Sequence, residues 1–138
     1  MNNDVVHDEH TVSTKLALYS HDAGRVLIMH YPRISLYGLP GGHVDANEYP
    51  DETIARELME ELAITVNAPK RKDFFLRGDR GTSIILAYTA VAPEAIEVNP
   101  TDPDQEIGIW MTRDEVVALP NLSPAYKQFI IENWPQSI

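Results

Sequence analysis

The run Gly42-His43-Val44-Asp45-Ala46-Asn47-Glu48-Tyr49-Pro50-Asp51-Glu52-Thr53-Ile54-Ala55-Arg56-Glu57-Leu58-Met59-Glu60-Glu61-Leu62-Ala63-Ile64 decides how the rest of the chain is read. Pro50 suits the first position of a helix, where no backbone N–H is needed, and Asp51 and Glu52 occupy the first turn, where the helix dipole favours acid. At about 100° per residue, Ile54, Ala55, Leu58, Met59 and Leu62 gather on one side of that helix, and Glu57, Glu60 and Glu61 share the other. A solvated helix face interleaves Lys or Arg at i+4. Here the i+4 partners of the three glutamates are Glu61, Ile64 and Thr65, and Arg56 is the only base among seven acids. Hard carboxylate oxygens held on a rigid element without neutralising cations fit Mg²⁺, with Mn²⁺ as a substitute.

Outward from this run, the 138 residues suit one domain, read as 11–138 behind a flexible N-terminal tail of residues 1–10. No apolar run approaches the roughly 20 residues of a membrane helix, and the polar, acidic start lacks the form of a secretion signal; a cytoplasmic location with no membrane partner is the expectation. With no cysteine there is no thiolate metal site, disulfide or thiol nucleophile. A net charge of -10 argues against a broad basic face for long nucleic acids, so an anionic ligand needs a mediating cation.

Thr11 to Tyr19 and Arg25 to Tyr31 read as two antiparallel strands around the turn Ser20-His21-Asp22-Ala23-Gly24. A short strand near Ser35 to Tyr37 leads into Leu39-Pro40-Gly41-Gly42, where Pro and paired Gly are expected to break regular structure. Beyond the acidic helix, Phe74 to Arg77, Ser83 to Val91 and Ile107 to Met111 read as strands. Pro93 to Glu106 is an acidic, proline-bearing loop. Thr112 with Glu115 forms a capping box for a short helix, and Pro124 to Trp134 gives the last helix. Strands, helix, strands, helix make an α/β or α+β arrangement with layered helices.

Gly42, Glu48, Arg56, Glu57, Leu58, Glu60, Glu61 and Ile64 stand at the spacing Gly, five residues, Glu, seven residues, Arg-Glu-aliphatic-any-Glu-Glu-any-Gly-aliphatic, with Leu39-Pro40-Gly41 before them. On these residues the chain resembles the Nudix hydrolases. One position departs: Ala63 stands where the family has Gly, and because Ala is the best helix former the helix is expected to continue through it. The resemblance implies an α/β/α sandwich with a mixed β-sheet. It also implies that Glu57, Glu60 and Glu61, with the Gly42 carbonyl, hold the metal, that Glu48 and Arg56 orient that shell, and that Glu106 supplies a further catalytic carboxylate.

Arg33 and Gly41 are read as substrate contacts, Gly41 because a missing side chain lets backbone approach a phosphate. Lys70-Arg71-Lys72, Arg77 and Arg80 could steer phosphates, and Tyr31, Tyr37, Tyr88 and Trp110 are core candidates, one of which could stack on a base. His43 is read as a hydrogen-bonded structural residue. The implied reaction is Mg²⁺-dependent cleavage of a diphosphate linkage in a nucleoside di- or triphosphate or a related derivative, compatible with nucleotide-pool sanitising and with a homodimer. The alternative is a Nudix-fold nucleotide-binding or regulatory domain with little turnover, for which Ala63 is the reason.

Overall fold

The computed structural model describes residues 9–66, 69–77, 82–98 and 106–136. In chain order the elements are β1 (Thr11–Tyr19), β2 (Val26–Tyr31), a 3₁₀ turn (Pro32–Ile34), β3 (Leu36–Gly38), β4 (Gly41–His43), α1 (Pro50–Leu62), β5 (Lys70–Arg77), β6 (Ser83–Val91), β7 (Ile107–Met111), α2 (Arg113–Ala118) and α3 (Pro124–Glu132). The seven strands form one mixed sheet.

β1 lies at its centre, parallel to β6 from Thr11↔Ser83 to Tyr19↔Val91. Because it is covered on both faces there, its second half, Leu16 to Tyr19, is apolar without a break. Leu16 and Leu18 pack with Ile54, Leu58 and Leu62 of α1, while Ala17 and Tyr19 pack with Tyr126, Phe129 and Ile130 of α3. The α/β/α layering follows directly from this alternation. The Tyr19 hydroxyl donates to Ile130 O at 2.7 Å and pins α3 to the sheet.

Several expectations are corrected. The hairpin of β1 and β2 forks: the two strands meet only at Tyr19↔Val26, after which β1 pairs with β4 and β2 pairs with β3 and β7. Gly41 and Gly42 do not break regular structure but form β4, opposite Lys15 and Thr14 of β1. β5 starts at Lys70 rather than Phe74, because pairing with β6 recruits the polar residues of this edge strand, with a register shift between Arg71 and Asp73. α3 stops at Glu132.

α1 does not continue through Ala63. That residue takes the left-handed conformation (φ 55°, ψ 38°), and its N–H returns to Leu58 O and Met59 O. The turn delivers Ile64 into the α1 core, where it is buried. Burying an Ile side chain contributes about 1.5–3 kcal/mol against roughly 1–2 kcal/mol of left-handed strain, so the turn wins over helix propensity. Gly78 to Gly81 with Arg80, the side chain of Arg77, Asp102, Asp104 and residues 1–8 of the expected tail lie outside the described residues.

Candidate active site

Two glycines seat the acidic helix against the sheet. Gly41 has φ +141°, and a Cβ there would collide with the Thr14 carbonyl, so only glycine lets β4 run this close to β1. Its N–H donates to Glu61 Oε1 at 2.9 Å. Gly41 is buried, and in this structure its amide serves α1. A Cβ on Gly42 would strike the Glu57 carboxylate, which therefore lies directly on the Gly42 backbone. Thr14 Oγ1 donates to Gly42 O at 3.3 Å.

Arg56 organises the exposed half of the cluster. Its Nε donates to Glu48 Oε2 at 2.7 Å and one Nη to Glu48 Oε1 at 3.0 Å, a bidentate pair. The other Nη reaches Glu57 at 3.1 Å and Glu60 at 3.2 Å. Arg56 also donates to His43 O at 3.1 Å and pairs with Asp45 at 3.3 Å. Glu48 further accepts from Thr53 Oγ1 and Asp45 N–H. The Arg56 hydrogen bond, then that of Thr53, brings the Glu48 carboxyl down to about 2.

The inner half is different. Glu61 is buried, and burial first, then the hydrogen bond and charge of Glu106, push its carboxyl up to about 8, opposed by the Gly41 N–H. Burial also raises Glu57, with Arg56 opposing. Glu106 stands immediately before β7, whose first residue pairs with His30 of β2, and so approaches Glu61 from outside α1. Three pairings result: Glu57 lies on the Gly42 backbone, Glu57 and Glu60 meet on Arg56, and Glu61 meets Glu106. Among the described residues no three acidic or histidine side chains converge on one point, since Glu57 and Glu60 lean on Arg56. The donors are nonetheless hard oxygens, one of them buried, and their chemistry fits a divalent cation.

Arg33 is exposed on the 3₁₀ turn, and no contact among the described residues joins it to the carboxylates. His43 Nδ1 lies 3.0 Å from Ser13 Oγ. Tyr88 is fully buried and donates to Asp51 at 2.7 Å, and Trp110 Nε1 donates to Ile96 O at 3.1 Å. Lys70 and Lys72 line a separate cavity with Tyr19 and Thr89.

Two features had no place in the sequence reading. A cleft of about 510 Å³ is lined by Tyr31, Tyr37, Leu36, Asn121, Tyr126 and Lys15 among others. Tyr31 links it to the carboxylates: burial and then the charges of Glu61 and Glu106 raise its hydroxyl far above the ordinary value. Tyr37 stacks on His30 with ring centroids 4.5 Å apart. The signal for Lys15 was a lone charged residue in its strand, directly before the apolar run Leu16 to Tyr19.

The family model for the NUDIX domain matches residues 10–132. The chain belongs to the Nudix family. Nudix membership makes it a pyrophosphohydrolase in class. It is 29% identical over 107 residues to a MutT-like protein of Streptomyces ambofaciens, covering 78% of this chain and 67% of that protein. It is also 29% identical over 114 residues to a putative 8-oxo-dGTP diphosphatase 3 of Mycobacterium tuberculosis, covering 80% of this chain but only 47% of that protein. The matched part of the chain thus spans about half the length of this second Nudix relative. Among solved structures, the MutT NUDIX hydrolase from Burkholderia pseudomallei superposes with TM-score 0.75 at 25% identity, covering 91% of this chain and 99% of that one. The NUDIX domain of Shewanella oneidensis NrtR, solved with ADP ribose, superposes with TM-score 0.76 at 22% identity, covering 96% and 90%, and shows the shared fold.

Proposed function

We propose that this chain is a Mg²⁺-dependent hydrolase that cleaves a diphosphate linkage in a nucleoside di- or triphosphate or a related nucleoside diphosphate derivative, with Mn²⁺ as a substitute. The observation that carries the reading is the pairing of buried Glu61 with Glu106 beside the Arg56-held Glu57 and Glu60, with Tyr31 and Lys15 of the aromatic-lined cleft within electrostatic reach of these acids. Two carboxylates forced together in a buried place cannot both be ionised at low cost unless a cation joins them, and otherwise they share a proton. Glu57, Glu60, Glu61 and the Gly42 carbonyl would hold Mg²⁺, which lowers the pKa of a bound water and offsets charge on the phosphate oxygens.

The chain's own groups do the rest. Arg56, fixed by Glu48, sets the directions of Glu57 and Glu60, and Gly41 N–H sets that of Glu61. Glu106 is the candidate acceptor for the proton of the attacking water, whose oxygen bonds to phosphorus as the bridging P–O bond breaks. The cleft volume suits a base and sugar, with Tyr31, Tyr37 and Tyr126 offering apolar faces. The relatives' names support a nucleotide-sanitising role. Among the described residues no helix is long and apolar enough to cross a membrane.

The reading of a binding domain with little turnover rested on Ala63, and that residue adopts the left-handed conformation a glycine would supply, leaving the carboxylate face of α1 undisturbed. A panel of nucleoside triphosphates, dinucleotides and nucleotide sugars, assayed for phosphate or pyrophosphate release with Mg²⁺ and with EDTA, tests the proposal. Metal-dependent release from at least one class is expected. Nucleotide binding without release from any class would return the chain to the binding reading.

A further inference from the structure

β1 alternates strictly: Leu16 and Leu18 face α1, and Ala17 and Tyr19 face α3, all buried. By the strand period of two, Lys15 belongs to the α3 side with Ala17 and Tyr19. It is half-buried on a strand paired on both sides, opposite Ala87 of β6 and Gly41 of β4. An ammonium group at an inward position of a central strand is costly unless something there needs the charge.

The surroundings show what needs it. Gly41, paired directly across from Lys15, holds Glu61 through its N–H, which brings one carboxylate of α1 to the strand pair that carries the lysine. Lys15 itself lines the cleft with Tyr31, Tyr37, Asn121 and Tyr126. Its charge reaches both Glu57 and Glu61. Among the described residues lining the cleft it is the only cation. A nucleotide with its scissile diphosphate at the acids and its nucleoside in the cleft must pass its innermost phosphate by this point.

We infer that Lys15 is a substrate-contacting residue whose ammonium binds the phosphate attached directly to the nucleoside, an assignment that rests on the nucleotide reading above. It distinguishes nucleotides from nucleosides at the cleft and fixes which phosphate lies next to the acids. The competing role is a fixed counter-ion for Glu57 and Glu61 that touches no ligand.

Equilibrium dialysis of AMP, dGMP, adenosine and deoxyguanosine, in EDTA, separates the two with wild type, Lys15→Met and Lys15→Arg. A charge-assisted hydrogen bond to phosphate predicts that Lys15→Met weakens binding of the better monophosphate by roughly 10- to 100-fold, that Lys15→Arg stays within about fivefold of wild type, and that nucleoside binding changes less than about twofold. Circular dichroism of both variants confirms the fold, and Lys15→Gln replaces Lys15→Met if the latter does not fold. Equal effects on nucleoside and monophosphate, no effect on either, or a wild type that binds monophosphate no better than nucleoside would overturn the assignment. Monophosphate binding that depends on Lys15, in a protein that hydrolyses nothing in the Mg²⁺ panel, removes the hydrolase reading and leaves Lys15 standing. Turnover with unaltered monophosphate binding in Lys15→Met removes Lys15 and leaves the hydrolase.

Discussion

In metal-free buffer the wild-type protein should lose stability as pH rises through the range where the unfolded chain has ionised its carboxylates and the folded chain has not. For Glu61 that window runs from the ordinary 4.5 to about 8, because burial and then Glu106 favour the protonated form in the folded state. The folded chain binds more protons than the unfolded one throughout the window, so stability is full below it and falls across it. A tenfold difference in proton affinity corresponds to about 1.4 kcal/mol, which makes the whole loss on the order of a few kcal/mol. At roughly 4 °C per kcal/mol for a chain of this size, Tm in EDTA should fall by about ten degrees between pH 5 and pH 8. Glu57, also raised by burial, contributes with the same sign.

Glu61→Gln keeps an oxygen for the Gly41 N–H and gains an amide to donate to Glu106, without a charge. It should flatten the slope and make the variant more stable than wild type at pH 8 in EDTA. Mg²⁺ at about 100 times its Kd should return about 2.7 kcal/mol to wild type at pH 8 and little to the variant. Thermal melts followed by circular dichroism, at pH 5 and 8, with EDTA or Mg²⁺, supply all eight values. The difference between wild type and variant isolates Glu61 from other titrating groups. A pH 8 variant no more stable than wild type in EDTA, or equal Mg²⁺ stabilisation of both, would refute the account of Glu61 as a buried carboxylate held for a cation.

Glu57→Gln, Glu60→Gln and Glu106→Gln should each lower kcat by at least about 100-fold while circular dichroism shows a folded protein; turnover near wild type in Glu106→Gln would reduce its contact with Glu61 to packing. Arg56→Lys cannot reproduce the fork that spans Glu48, Glu57 and Glu60, and should weaken Mg²⁺ binding or turnover by about 10- to 100-fold, measured by Mg²⁺ titration of activity, whereas an unchanged Mg²⁺ dependence would show that the fork does not set ligand geometry. Ala63→Gly should raise stability by roughly 0.5–1 kcal/mol in urea denaturation, since relief of left-handed strain exceeds the added unfolded-state entropy, and leave kcat unaltered; a loss of stability would mean that the helix does not end where described.

What could be read from the sequence was what depends on neighbours along the chain. The α1 face is visible because helical periodicity alone puts Glu57, Glu60 and Glu61 together, whereas the Glu48–Arg56 pair came from the family resemblance, and the structure shows it closing over a loop and two helical turns. The fate of Ala63 was misread because local propensity favours continuation, while the burial of Ile64 that overrules it belongs to the tertiary structure. Gly41 and Gly42 read as a turn but form a strand, and their freedom from side chains lets β4 lie on β1 and lets Glu57 lie on the backbone. Lys15 went unread and Glu106 was named only through the family resemblance, because both depend on distant registers. Lys15 meets the site only because β4 pairs opposite it, and Glu106 meets Glu61 only because β7 pairs with β2 from His30↔Ile107. The site is therefore assembled in two parts: a helix that carries its acids wherever it folds, and a sheet whose register brings one cation and one carboxylate to that helix. A change that slipped the register of β7 by one residue would turn Glu106 to the opposite face and leave α1 intact, so loss of function with an unchanged helix is the failure this architecture permits.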